Sequence, residues 1–334
     1  MKFSVGHLPV GSLPDFVSLA RCAEKLDFDI FFIADHATKQ NPYAMLSVAA
    51  LKTKRISLAT GVTNPFSRNP LLTAAAISTI DSISDGRAIL GIGAGGHGVS
   101  PFKQERPAPI STLKTSIETI RTLLNSDMVS DPTGTFNLIN AKLEFKPQHD
   151  IPIYVAGRGK KLLELAGAVA DGAIAGAGLT SVEAMKYALA HIRSGAESTG
   201  RKLSDLDIVC WSFLSIGRDK QSALDAVIPF TVQLVQHAVP RSTLESFGIS
   251  SQAIDSVLGI QDIPSHSLSS LRKKVSMEIV ELFAIAGTPE QCLTHISALH
   301  EIGISHCALL PFENAENTQI ENLELFYDMV ISEL

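Results

Sequence analysis

The stretch ISLATGVTNPFSRNPLLTAAAISTIDSISDGRAILGIGAGG, residues 56–96, decides how the chain folds. Its first seven residues, 56–62, are β-branched and apolar and read as a strand. Residues 71–84 then read as a helix, and Asp85-Gly86 supplies its stop and the following turn. Residues 88–92 are apolar throughout, as a strand covered on both faces should be.

The same alternation runs outward in both directions. Upstream, 3–6 and 30–34 read as strands. Each is followed by a helix: 15–26, with Phe16, Leu19, Ala20, Ala23 and Leu26 on one face, and 43–52. Downstream, 111–124 is helical and 136–147 is an irregular excursion or hairpin. Strands follow at 151–156, 172–175, 206–216 and 305–310, with helices at 160–169, 182–199 and 317–332. Eight strands, many apolar on both faces and each followed by helical sequence, predict an α/β fold: a (β/α)8 TIM barrel in one domain, 1–334. The stretch 220–285, between the seventh and eighth strands, is too long for one connection. It reads as a mainly helical insertion capping the barrel mouth.

Composition excludes several classes. Hydrophobic residues make up 45% and charged residues 19% of 334, which suits a soluble globular protein. A net charge of −6 argues against a nucleic-acid partner. The opening MKFSVGHLPV lacks the apolar core of a secretory signal, and no run approaches the ~20 apolar residues of a membrane helix. A cytoplasmic protein is expected. Cys22, Cys210, Cys292 and Cys307 are far apart without a CxxC pair, so neither a metal site nor a disulfide framework is expected.

Gly91-Ile92-Gly93-Ala94-Gly95-Gly96 matches G-x-G-x-x-G after a strand. A dinucleotide site needs a helix to open at the third glycine, but Pro101, Pro107 and Pro109 forbid an immediate long helix. The alternative is a glycine floor that lets a flat ring approach the backbone closely, against a plain flexible loop.

Chemistry in a barrel sits at the C-terminal strand ends. Gly157-Arg158-Gly159-Lys160-Lys161 carries the clearest signal there. The two glycines free N–H groups for a nest, Lys160 opens a helix, and cations at a helix N-terminus make sense beside a phosphate. A solvated charged turn is the alternative. Asp35-His36 reads equally as acid/base machinery or as a cap followed by a loop histidine. His7 and His97 are further strand-end candidates. His191, His237, His266, His295, His300 and His306 show no ligand spacing.

Ala34-Asp35-His36, Thr60-Gly61-Val62-Thr63-Asn64-Pro65, Ser84-Asp85-Gly86-Arg87 into Leu90-Gly91-Ile92-Gly93-Ala94-Gly95, Ala170-Asp171-Gly172-Ala173 and Ala286-Gly287-Thr288-Pro289-Glu290 occur in this order. In these pieces the chain resembles the bacterial-luciferase-like flavin enzymes, within them the branch of F420-dependent methylenetetrahydromethanopterin reductase. The resemblance implies an oxidoreductase moving hydride between the deazaflavin coenzyme F420 and an organic acceptor such as a pterin. FMN, in a sibling monooxygenase or reductase, is the alternative, and a non-catalytic flavin-binding barrel a second one. It also implies a non-prolyl cis peptide at Gly61-Val62 backing the ring, with Asn64 at the ring edge. Asp35, Ala175 and Gly176 join the coenzyme contacts, and Gly157, Arg158, Gly159 and Lys160 hold the phosphate. The resemblance implies a homodimer, for which the apolar helices around 46–51 and 71–80 are candidates. The chain departs from the branch at Gly6 and Gly96, where acids are expected. His7, His36 and His97 are therefore the candidates for proton transfer.

Overall fold

The computed structural model describes residues 1–95, 106–261 and 267–334. In chain order the strands are β1 (Lys2–His7), β2 (Ile30–Ile33), β3 (Ser57–Thr60), β4 (Ala88–Gly93), β5 (Val129–Asp131), β6 (Leu138–Ala141), β7 (Ile153–Gly157), β8 (Gly172–Ala175), β9 (Asp207–Ile216), β10 (Ala284–Gly287) and β11 (His306–Pro311). Hydrogen-bonded order runs β9-β11-β1-β2-β3-β4-β7-β8, and β8 pairs in turn with β9. That order is a closed, parallel (β/α)8 barrel.

Two features depart from the predicted rhythm. The excursion begins earlier than residue 136, because β5 and β6 form a separate antiparallel pair. A ninth strand, β10, pairs with β9 from Phe213 to Ile216, in a place where the sequence suggested only the tail of the insertion. Four residues ending in a glycine carry too little periodicity to announce a strand. The helices before it are α7 (Lys220–His237), α8 (Arg241–Ser246), α9 (Ser251–Leu258), α10 (Leu268–Lys274) and α11 (Met277–Glu281).

The chain divides into two compact units. The first comprises Lys2–Ala175 with Leu189–Val209, and the second Gly176–Ala188 with Cys210–Leu334. In the first, Phe31, Phe32, Ile33, Leu58, Ile77 and Leu90 are fully buried side chains. In the second, Phe213 packs edge-on against Phe230 at 4.9 Å and Phe312 at 5.3 Å.

A repeated device starts the helices: a polar cap followed by proline. Ser12, Asn41, Asn69 and Thr288 cap α1 (Leu13–Lys25), α2 (Pro42–Lys52), α3 (Pro70–Ser84) and α12 (Pro289–Glu301), each accepting from first-turn N–H groups, with proline in the first turn. The stop after α3 is as read: Asp85 and Gly86 take φ of 58° and 81°. Gly86 is required for a second reason, since a Cβ there would lie 2.8 Å from the His149 ring. No described helix is long and apolar enough to cross a membrane. The four cysteines are buried free thiols.

Arg87 joins the ends of α2 and α3 to β3. Its guanidinium donates to Ser84 O (2.8 Å), Ile56 O (2.8 Å), Ala50 O (2.9 Å), Thr53 Oγ1 (3.0 Å) and Thr53 O (3.3 Å). Arg87→Leu leaves these carbonyls without their charged donor and is expected to lower unfolding free energy by about 2–3 kcal/mol. Chemical denaturation checks this, and a loss well below ~1 kcal/mol would refute the linchpin role.

Candidate functional site

The site begins with a misfit between β3 and β4. The register pairs Leu58 with Ala88 and Ala59 with Ile89, then resumes at Thr63 with Ile92. From Ala59 to Thr63 the first strand advances four residues while its partner advances three, so one extra residue bulges out. The Gly61-Val62 peptide within the bulge is cis, as the resemblance implied. The Thr60 hydroxyl fills the interrupted ladder. It donates to Gly91 O at 2.7 Å and accepts from Gly91 N at 3.0 Å. Thr63 N then bonds Gly91 O, and Gly93 N bonds Thr63 O, both at 2.9 Å.

The glycines of β4 serve this bulge. A Cβ on Gly91 would lie 2.0 Å from Thr60 O, and Cβ atoms on Gly91 and Gly93 would each lie 3.1 Å from a Val62 methyl. The space expected as a floor for a flat ring is therefore taken up by Thr60 and Val62. Gly61 and Val62 are half-buried. Among the described residues the next helix after β4 is α4 (Pro109–Leu124), while Gly96 of the dinucleotide motif lies outside them.

Around the bulge lies a polar network missed in the sequence. Asp35, just past β2, is 7% exposed. It accepts from Thr63 Oγ1 (2.8 Å), Arg68 Nε (2.6 Å) and Arg68 Nη2 (3.0 Å). This bidentate bond raises the Arg68 pKa above its ordinary value. Arg68 lies over the Tyr43 ring at 5.1 Å, and burial pushes the Tyr43 phenol up to about 12. Asp35 is thus committed to protein partners. So is Asn64, whose Oδ1 accepts from Phe66 N (3.0 Å) and Ser67 N (2.9 Å) while its Nδ2 donates to Ser67 Oγ (2.9 Å). It closes an Asx turn where a ring-edge contact was expected. The signal available in the sequence was Arg68 itself, a lone cation in a neutral stretch that had to meet a buried acid.

The histidines separate. His7 shares its face of β1 with the helix layer, its ring 5.3 Å from Phe16 of α1 and 6.1 Å from Phe31. Gly6 occupies the opposite face, as strand alternation requires. His7 is buried, and burial lowers its pKa from 6.5 to about 4. The ring packs under α1, and its Nε2 is buried without a hydrogen-bond partner. Adjacency in sequence to Gly6 misled because neighbouring residues of a strand point apart. His36 is half-buried just beyond Asp35. His97 and Gly96 lie outside the described residues.

The segment 157–161 leads into α5 (Lys160–Val169). Gly159 is its cap and provides no side-chain hydrogen bond. A Cβ at Gly159 would meet nothing within 4 Å, and the Gly159 carbonyl accepts from Leu162 N at 3.0 Å and Leu163 N at 3.1 Å. Gly157 answers to packing, since a Cβ there would lie 2.8 Å from Leu162 Cβ. Neither glycine takes a positive φ, so a helix N-terminus replaces the expected nest. Burial draws the Arg158 guanidinium down to about 10. Lys160 is exposed, 3.9 Å from Glu164, and Lys161 is exposed beside it. Ala175 is buried at the end of β8. Gly176 takes φ of 70°, where a side chain would be strained.

A closed parallel barrel with a bulge and a glycine-capped helix start at its strand ends defines the class: a (β/α)8 protein. The profile of the luciferase-like monooxygenase family matches residues 2–306, and the chain belongs to that family. It is 32% identical to 5,10-methylenetetrahydromethanopterin reductase of Archaeoglobus fulgidus over 91% of this chain and 92% of the other. An F420-dependent glucose-6-phosphate dehydrogenase of Amycolatopsis mediterranei is 25% identical over 96% of this chain and 94% of its own. The solved F420-dependent tetrahydromethanopterin reductase of Methanopyrus kandleri superposes with a TM-score of 0.87 at 25% identity, covering 99% of both chains.

His7 also sets a pH dependence. Its folded pKa lies below that of the unfolded chain, so the unfolded state binds the proton first. Stability is complete above about 6.5 and falls as pH drops toward about 4, by about 3 kcal/mol in full. Urea titrations across that range should show the loss in wild type and its near-disappearance in His7→Leu. Identical slopes in the two proteins would contradict it.

Proposed function

We propose that this oxidoreductase uses coenzyme F420 to move a hydride to or from an organic acceptor, with a methylene-pterin as the first acceptor to test. The bulge at 60–63 carries the reading: it presents Gly61 and Val62 while the residues behind them are bound into the protein. The anion cradle fits the same coenzyme. Gly159 gives the first turn of α5 no side-chain cap, and the cations Arg158, Lys160 and Lys161 stand beside it. A phosphate there relieves the otherwise unfavourable pairing of cations with a helix N-terminus.

Bound in this way, F420 supplies a ring that accepts or gives a hydride without protein redox groups. The protein aligns the reactants: Gly61 and Val62 back one face, and the segment 157–160 fixes the phosphate. Among the strand-end histidines described, His36 is the one we assign to proton exchange, because His7 is sealed under α1. The acids expected by resemblance at positions 6 and 96 are glycines here. That difference points to an acceptor handled otherwise than in the relatives, within the same hydride chemistry.

Mixing the protein with F420 and with FMN separates the two coenzymes by their absorption, one dominant band against two. Gly159→Asp is the sharper test, since aspartate is a good cap and repels a phosphate. Its melting temperature should hold or rise while coenzyme affinity falls about tenfold or more. Undiminished affinity would remove the phosphate from this end of α5, and binding of neither coenzyme would end the reading.

We also propose a homodimer through α2 and α3. Leu51 and Leu72 are 69% and 66% exposed on these helices, an apolar surface that a second copy would cover. Light scattering should give twice the chain mass, and Leu72→Glu about the chain mass. A monomeric wild type refutes the proposal.

A further inference from the structure

We propose that Asp35, Arg68 and Tyr43 form a positioning clamp that holds the 60–63 bulge at its working height against the coenzyme ring. The inference rests on the reading above that this bulge backs the ring. None of the three is assigned a contact with a reacting atom.

The segment after the bulge is tied at both ends. Thr63 re-enters the ladder through its backbone, donating to Gly91 O and accepting from Gly93 N, both at 2.9 Å. Its hydroxyl donates to Asp35 at 2.8 Å. The Asn64 turn then carries the chain round to Arg68, which returns to the same carboxylate through two bonds of 2.6 and 3.0 Å. Residues 63–68 and Asp35 thus make one closed polar ring. The ring is referred to a rigid element, because Arg68 lies over Tyr43. Tyr43 stands in the first turn of α2, its N–H received by the Asn41 cap at 3.0 Å.

Stability is a poor explanation for this arrangement. A buried carboxylate–guanidinium pair loses in desolvation much of what it gains in attraction, and apolar side chains would fill the space as well. The paired bonds supply direction. A guanidinium fork bonded to both carboxylate oxygens has one orientation, and Thr63 Oγ1, sharing Oδ2 with Arg68 Nε, is fixed relative to it. Thr63 is the residue that follows Val62. A shift of its hydroxyl becomes a shift of the surface the ring meets, and small misplacements of that kind cost far more in reactivity than in folding.

The test uses the full chain with F420 followed by fluorescence. Arg68→Lys keeps the charge and loses the fork, and Asp35→Asn keeps the shape and loses the charge. Both should bind F420 about tenfold more weakly. They should also shift the absorption band of the bound coenzyme and lower kcat with little change in the acceptor KM, while melting close to wild type. Arg68→Ala should recover affinity with added guanidinium and not with methylammonium, a selectivity that general destabilisation does not produce. Tyr43→Leu, which leaves the ion pair intact, should show a smaller loss of the same kind and covers the event that charge variants fail to fold. Folded variants with wild-type affinity and an unshifted band overturn the clamp alone. A wild type that binds neither F420 nor FMN overturns the clamp together with the function on which it rests.

Discussion

Everything distinctive about this barrel turns on how closely Thr60 lies to Gly91. The carbonyl of Thr60 occupies the position that a side chain on residue 91 would need, 2.0 Å from its Cβ. The approach lets one extra residue leave the β3 ladder without stranding polar groups, because the Thr60 hydroxyl serves both the N–H and the carbonyl of Gly91. A buried barrel strand has no water to satisfy a broken pair. The bulge therefore needs threonine on one strand and glycine on the other, together. Valine at 60 would keep the shape and lose both bonds, and alanine at 91 would push the strands apart.

A second constraint comes from the helix starts. Most of the barrel helices described above close their first turns with a polar side chain and a proline, which consumes the N–H groups and stiffens the entry. α5 follows another rule: its cap is glycine, and cations flank it. Taken as folding alone this is a loss, since a side-chain cap is worth about 1 kcal/mol and cations oppose the dipole. The arrangement becomes coherent when an anion completes the turn. Local structure at α5 is less finished than at α1, α2, α3 or α12, and the unfinished part faces outward.

The barrel was legible because its signal is repetitive. Helices such as 160–169 and the stop at Asp85-Gly86 follow from pattern and turn chemistry alone. β10 was not legible, since four residues give no period. At the site, residue identity was easier to read than residue role. The motif Thr60-Gly61-Val62-Thr63-Asn64 marked the bulge, but Asn64 closes a turn and Gly91 receives a carbonyl. These roles depend on atoms brought in from a different strand, and no spacing along one strand encodes them. His7 faces the helix layer for a simpler reason. It stood next to a vacated acid position in the chain, and the two-residue period of a strand put it on the other side of the sheet. Arg68 went unnoticed because a single arginine in a loop is ordinary until the acid that meets it is known.

The charges of the first unit give the last step. Asp35 would place a negative charge beside the bulge, and Arg68 cancels it through two bonds. At the start of α5 stand Arg158, Lys160 and Lys161, with Glu164 3.9 Å from Lys160. The chain as a whole carries −6, so the strand-end cations stand against the general field of the protein. On the function proposed above, an anionic ligand repelled by most of the surface would meet these cations at the start of α5. Pairing Asp35 with Arg68 thus fixes the carboxylate in one orientation and cancels its charge beside the bulge.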